Sequence, residues 1–129
     1  LGSNFNLKPK VDWFDSYHLI DDSTITVSID STLGLESLGR SNRTALFPIR
    51  ARALDLADRS FGWPSDLPET GFFWSSTLSK NLIIQTLNNV CYCSSSTWVE
   101  YLNLYREYAI LPNPGNTIME EVINSILEI

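Results

Sequence analysis

The strongest constraint on the fold is a change of hydrophobic period partway along the chain. Between Thr24 and Asp30, Ile25, Val27 and Ile29 alternate with Thr24, Thr26 and Ser28, the period of two expected of a half-buried strand. From Ser75 onward the spacing lengthens to that of helices. Leu78, Leu82, Ile83, Leu87, Val90 and Cys91 fall on one face, with Ser75, Ser76 or Thr77 placed to cap the first turn. Thr97 and Glu100 form a capping-box pattern around Trp98, and Tyr101, Leu102 and Tyr105 continue at helical spacing until Asn113-Pro-Gly ends the segment. Thr117 and Glu120 repeat the pattern, and Ile118, Val122, Ile126 and Leu127 make a last amphipathic face. Strands followed by helices predict an α+β domain: a small antiparallel sheet from the N-terminal half, with about three C-terminal helices packed on one of its faces.

The segments between carry weaker signals. Gly34 and Gly39 read as punctuation of a polar connection. A second extended stretch is expected from about Thr44, with Phe47, Ile49, Ala51 and Ala53 on one side and Arg50 and Arg52 on the other. Pro48 has no amide to donate, which puts the segment at a sheet edge or starts the strand after it. Ala, Leu and Arg between residues 52 and 59 also suit a helical turn, but strand through Leu54 is the preferred reading. Residues 5 to 18 mix Pro9 with Trp13, Phe14, Tyr17 and His18 and read as an aromatic arm packed onto the core. Pro64, Pro68 and Gly71 hold an irregular aromatic loop.

At 129 residues, 43% of them hydrophobic, the chain has material for one packed core and not for two. The opening Leu-Gly-Ser resembles the remnant of a cleaved expression tag over residues 1–3. Residues 4–129 then form a single globular domain, expected to be a piece of a longer protein. No run of eighteen apolar residues occurs and the start lacks the zones of a signal peptide. That predicts no membrane partner and an intracellular location, nuclear or cytoplasmic.

Cofactor and metal chemistry find little support, and none is expected. Gly34 and Gly39 lack the spacing of a phosphate loop or a dinucleotide turn. Cys91 and Cys93 lie too close for an ordinary disulfide, and no second pair completes a zinc site, so both are read as buried or half-buried reduced thiols. Asp21 and Asp22 are read as solvated loop charges. His18, the one histidine, stands among Asp15, Asp21 and Asp22 and could serve a small hydrolase. The plainer reading packs its ring among Trp13, Phe14 and Tyr17.

Charge is segregated. Asp12, Asp15, Asp21, Asp22, Asp30 and Glu36 fall between residues 11 and 36 without a Lys or Arg, whereas Arg40, Arg43, Arg50 and Arg52 follow in a stretch without Asp or Glu. Trp63, Phe72 and Trp74 come soon after. Arginine beside rigid aromatic groups suits a desolvated interface with charged orientation. The leading expectation is therefore a non-enzymatic protein–protein interaction domain, a scaffold or adaptor of a larger assembly. Its partner is another protein or a segment of the parent complex, met through Arg40, Arg43, Arg50, Arg52, Trp63, Phe72 and Trp74. A reader of RNA or methyl-lysine on the same surface, with Asp66 or Glu69 as the carboxylate of a cage, is the alternative. The net charge of -6 disfavours nucleic acid. Ile118, Val122 and Ile126 offer a second interface, including a homodimer through the last helix. Internal pairing of Arg50 and Arg52 with the acidic segment is the structural counter-reading.

Overall fold

The computed structural model describes residues 6–127. The structure is about 52% helical, with only two short strands among the described residues, and those strands are parallel, which overturns the expected α+β arrangement on an antiparallel sheet. The elements run α1 (Asp15–Asp22), β1 (Thr26–Ser28), α2 (Thr32–Gly39), β2 (Thr44–Leu46), α3 (Ile49–Ala53), α4 (Lys80–Tyr92), α5 (Ser95–Leu104) and α6 (Thr117–Leu127), with 3₁₀ turns at Ala57–Arg59, Arg106–Tyr108 and Pro114–Asn116.

Parallel pairing follows from what joins the strands. Thr26 pairs with Thr44, Val27 with Ala45 and Ser28 with Leu46, and α2 supplies the crossover that a parallel pair requires. The two glycines of that stretch belong to the helix instead of breaking it. A Cβ on Gly34 would lie 2.5 Å from Ser28 Cβ, and one on Gly39 would lie 1.9 Å from the Ile110 carbonyl. Both are sites of close backbone approach. The packing of α2 onto β1 also inverts the expected strand faces: Ser28 is buried, whereas Val27 and Ile29 are exposed.

The second extended stretch stops at Leu46. Pro48 then precedes α3, where a missing amide costs nothing, and Ile49-Arg-Ala-Arg-Ala forms a short helix from good helix formers. On its other edge β2 meets Trp74: Leu46 N donates to the Phe73 carbonyl at 2.8 Å, and Ser75 N donates to the Leu46 carbonyl at 3.0 Å. That makes β2 the centre of the structure, and all three of its residues are buried.

The later helices form with shifted boundaries. Ser75 Oγ bonds Thr77 rather than capping a helix, so α4 begins at Lys80. Leu78 and Cys91 are exposed, and the inward face is Ile83, Thr86, Leu87 and Val90. Ser94, not Thr97, caps α5, its Oγ accepting from Thr97 N at 3.0 Å. Trp98 and Leu102 of α5 are buried as the pattern predicts. The described part of α6 is exposed throughout.

An aromatic cluster closes the core. Phe73 and Trp74 are fully buried and set edge-on to Tyr105 at 5.7 and 4.8 Å between centroids. Phe61 joins them from the loop before, 4.9 Å from Trp74. Both buried indoles are satisfied, Trp74 Nε1 by the Pro68 carbonyl and Trp98 Nε1 by that of Ser41. The arm is not packed as expected: Leu7, Val11, Trp13 and Phe14 are exposed. The chain joins the body at α1, where Ile20 is buried and Asp21 accepts from Arg40 and Asn42. Residue 5 lies outside the described residues. Among the described residues no helix is long and apolar enough to cross a membrane.

Candidate functional site

Two parallel strands send their carboxyl ends, and the amino end of the crossover helix, to one side of the protein, the side on which such sheets hold ligands. A cleft of about 490 Å³ opens there. Its floor is Ser28, Leu46, Phe47 and Pro48 from the strand ends, one wall is Asp30 to Thr32 with Leu35 from α2, and the facing wall is the segment Asp58 to Pro64. Glu107 and Tyr108 close one end.

Asp30 carries two local costs at this point. Its φ is 52°, a left-handed conformation that Asp tolerates better than most residues. Its side chain is 3% exposed. Oδ2 accepts from Arg50 Nε at 3.0 Å, while Oδ1 is buried with no hydrogen-bond partner. An unsatisfied buried oxygen costs on the order of 1–3 kcal/mol. Asp30 ties the end of β1 to the start of α3, since the Arg50 backbone N also donates to Oδ2, at 3.4 Å, so its strained and desolvated position has a structural role at the cleft wall. Ser31 next to it caps α2, its Oγ accepting from Leu33 N at 3.3 Å, and Thr32 presents an exposed hydroxyl.

On the facing wall Phe61 is the anchor, packed on Phe73, Trp74 and Tyr108. Gly62, at φ 84°, turns the chain so that Trp63 stands 57% exposed at the cleft. Asp58 and Arg59, 3.8 Å apart, line the same cleft. Trp63 and Tyr108 thus line the cleft together with the carboxylate residues Asp58 and Glu107 and the hydroxyl residues Ser31, Thr32 and Ser60, whereas the Asp30 carboxylate is covered and held by Arg50. This combination suits a ligand with C–H faces and many hydroxyl groups.

The residues expected to form one partner surface are dispersed. Arg40 donates to Asp21 at 2.7 Å from Nε. Arg43 is half-buried and clamps the end of α4, donating to the carbonyls of Val90 at 2.7 Å and Cys93 at 2.9 Å and to the Cys93 thiol at 3.1 Å. Arg50 holds Asp30, and Arg52 bonds Glu69 of the aromatic loop. Phe72 stacks on Tyr101 at 3.8 Å, Trp74 is core, and of the three aromatics only Trp63 reaches the cleft.

Ile118, Val122 and Ile126 are exposed on α6. His18 is exposed on α1 and does not line the cleft. Its ring is therefore not packed among aromatics as the plainer reading had it. Asp21 is an ion-paired helical residue and not a loop charge, and Cys91 is exposed where a covered thiol was expected, with Cys93 half-buried. Among the described residues no three His, Cys, Asp or Glu side chains are grouped to hold a metal ion.

Sequence reasoning counted Asp30 only as one of an acidic block and missed Ser31, Thr32, Asp58, Phe61, Glu107 and Tyr108 as a site. One signal was available: a strand that ends in Asp-Ser-Thr, with Ser a good helix cap, marks a turn from strand into helix.

Fold and cleft together define a mainly helical domain built on a parallel strand–helix–strand unit, with a ligand-sized cleft at its carboxyl edge. The chain belongs to the family described as "putative O-antigen biosynthesis protein", whose model matches residues 1–126. No curated protein and no solved structure matches it.

Proposed function

We propose that this chain binds a saccharide in the cleft between the start of α2 and the segment Asp58 to Pro64, as the sugar-holding part of a protein of O-antigen biosynthesis. The observation that carries the reading is that Trp63 and Tyr108 line a cleft of about 490 Å³ together with Asp58 and Glu107. A pyranose ring offers an apolar C–H face to an indole or phenol, and its hydroxyls donate to carboxylates. The family description supplies the chemical setting, since O-antigen is a polysaccharide. In this reading the cleft holds and orients a sugar, and no residue is assigned a bond-making role.

The test is a glycan array probed with the purified protein, followed by titration of the retained glycans. Trp63→Ala should weaken each by about tenfold or more. An array on which nothing is retained would overturn the reading.

A protein–protein interaction module is the second reading, favoured by the exposed apolar residues of α6. It relies less on the arginines than the sequence suggested. Arg40, Arg50 and Arg52 are each engaged by a carboxylate within the chain, so a partner would have to displace those pairs. Loss of partner capture on Ile126→Asp, with sugar binding intact, would support it.

A further inference from the structure

Resting on the saccharide reading, we infer that the cleft continues past Phe61 into a second, smaller subsite, so that the ligand is a glycan of at least two sugar units rather than a monosaccharide. A depression of about 250 Å³ lies beyond Ser60 and Phe61, and these two residues line both spaces. Self-sufficient small-molecule sites begin at roughly 300 Å³. The second space is below that size and adjoins a cleft that is above it, so it works as an annex.

Its lining also sets an apolar side against a polar one. Leu67 and Pro68 give an apolar side, and Asp55, Ser76 and the Arg52–Glu69 pair give a polar one. Glu69 accepts from Arg52 and from Thr77 Oγ1, both through Oε2, which leaves Oε1 for a ligand hydroxyl. The divider between the two spaces is fixed. Phe61 is buried against Phe73 and Trp74, at 5.5 and 4.9 Å between ring centroids, and a glycosidic link would pass over Ser60, the exposed residue that lines both spaces. A repeating polymer fits this arrangement because adjacent units present the same alternation of C–H face and hydroxyl edge.

The experiment compares chain lengths. For a glycan retained on the array, the monosaccharide and its disaccharide are titrated against the full chain, its Ala57→Trp variant and its Glu69→Gln variant. Ala57 is exposed and lines only the annex, so a tryptophan there fills that space from its rim.

The disaccharide should bind about tenfold tighter than the monosaccharide. Ala57→Trp should abolish that gain while leaving the monosaccharide Kd unchanged, and Glu69→Gln should reduce the gain. Equal Kd values for the two lengths, or a gain that survives Ala57→Trp, would overturn the annex and leave the saccharide reading standing. Failure of every printed glycan to bind would remove both.

Discussion

Asp30 and Arg50 form an ion pair that is buried on one side only: Nε meets Oδ2 at 3.0 Å, with the aspartate side chain 3% exposed and the arginine 59%. The carboxylate has lost its water, and the guanidinium has kept much of its own. Cutting such a pair is not symmetrical. Arg50→Ala leaves the buried carboxylate only the weak bond from the backbone N of residue 50, at 3.4 Å, and should lower stability by about 1–3 kcal/mol, above the roughly 0–1 kcal/mol of an exposed pair. Asp30→Asn in the Arg50→Ala background should recover part of the loss, since Asn also accepts a left-handed backbone. Urea midpoints at unchanged slope measure both. A single Arg50→Ala within about 0.5 kcal/mol of the parent would show that the pair does not hold the cleft wall.

The two tryptophans that the sequence presents as neighbours on one loop should respond differently. Trp74 is 1% exposed and in contact with Phe61, Phe73 and Tyr105, so Trp74→Ala opens a cavity at the centre of the core and should cost about 3–5 kcal/mol. Trp63 is 57% exposed, and its replacement by alanine should change stability by less than about 0.5 kcal/mol. Denaturant unfolding of the two variants in parallel makes the comparison. Similar losses would mean that Trp63 is structural and would weaken its role as a binding platform.

The attachment of α1 has a pH dependence with a defined sign. Hydrogen bonds from Arg40 and then Asn42 hold the Asp21 carboxyl down at about 2, below its ordinary value of 3.8. A lowered folded value means that the contribution is complete above pH 3.8 and is lost as the pH falls towards 2. Asp21 and Arg40 are each about one-third exposed, so the contribution is about 1 kcal/mol or less. The event is local, the release of α1. Amide exchange in residues 15–22 should rise over that acid window ahead of exchange in β2. In Arg40→Ala the midpoint should move up towards 3.8, and a midpoint that stays put would assign the attachment to buried Ile20 alone.

Which parts of this fold were legible follows from how each signal arises. Trp98 and Leu102 were readable because a helix packed on one side writes its period into the sequence. The strand at Thr26–Ser28 was readable as a strand but with its faces reversed, because Ser28 is buried by the close approach of Gly34. No pattern internal to β1 encodes that contact. Gly34 and Gly39 hid α2 for the same reason, since residues chosen for tight packing look like residues chosen for turns. With α2 hidden, the strands could only be imagined as antiparallel. The cleft was less legible still. Asp30, Trp63 and Tyr108 are far apart in the chain, and only the parallel pairing gathers the strand ends that support them.

Helix α6 was legible in full and yet stands apart from the body. Ile118, Met119, Val122, Ile123, Ile126 and Leu127 are all exposed, so the stripe that predicted it does not bury against the core. Helices shorter than about 12–15 residues are marginal in water without tertiary support. Removal of residues 117–129 should therefore leave unfolding free energy unchanged within about 0.5 kcal/mol. Val122→Asp and Ile126→Asp should be equally silent. In dilute solution the amides of 117–127 should exchange without protection. Protection that grows with protein concentration and vanishes in Ile126→Asp would mean that a second copy covers the stripe, because only association can then supply the apolar contact that the monomer lacks. Protection independent of concentration would instead require α6 to fold back onto its own chain, and the truncation would then destabilise the protein.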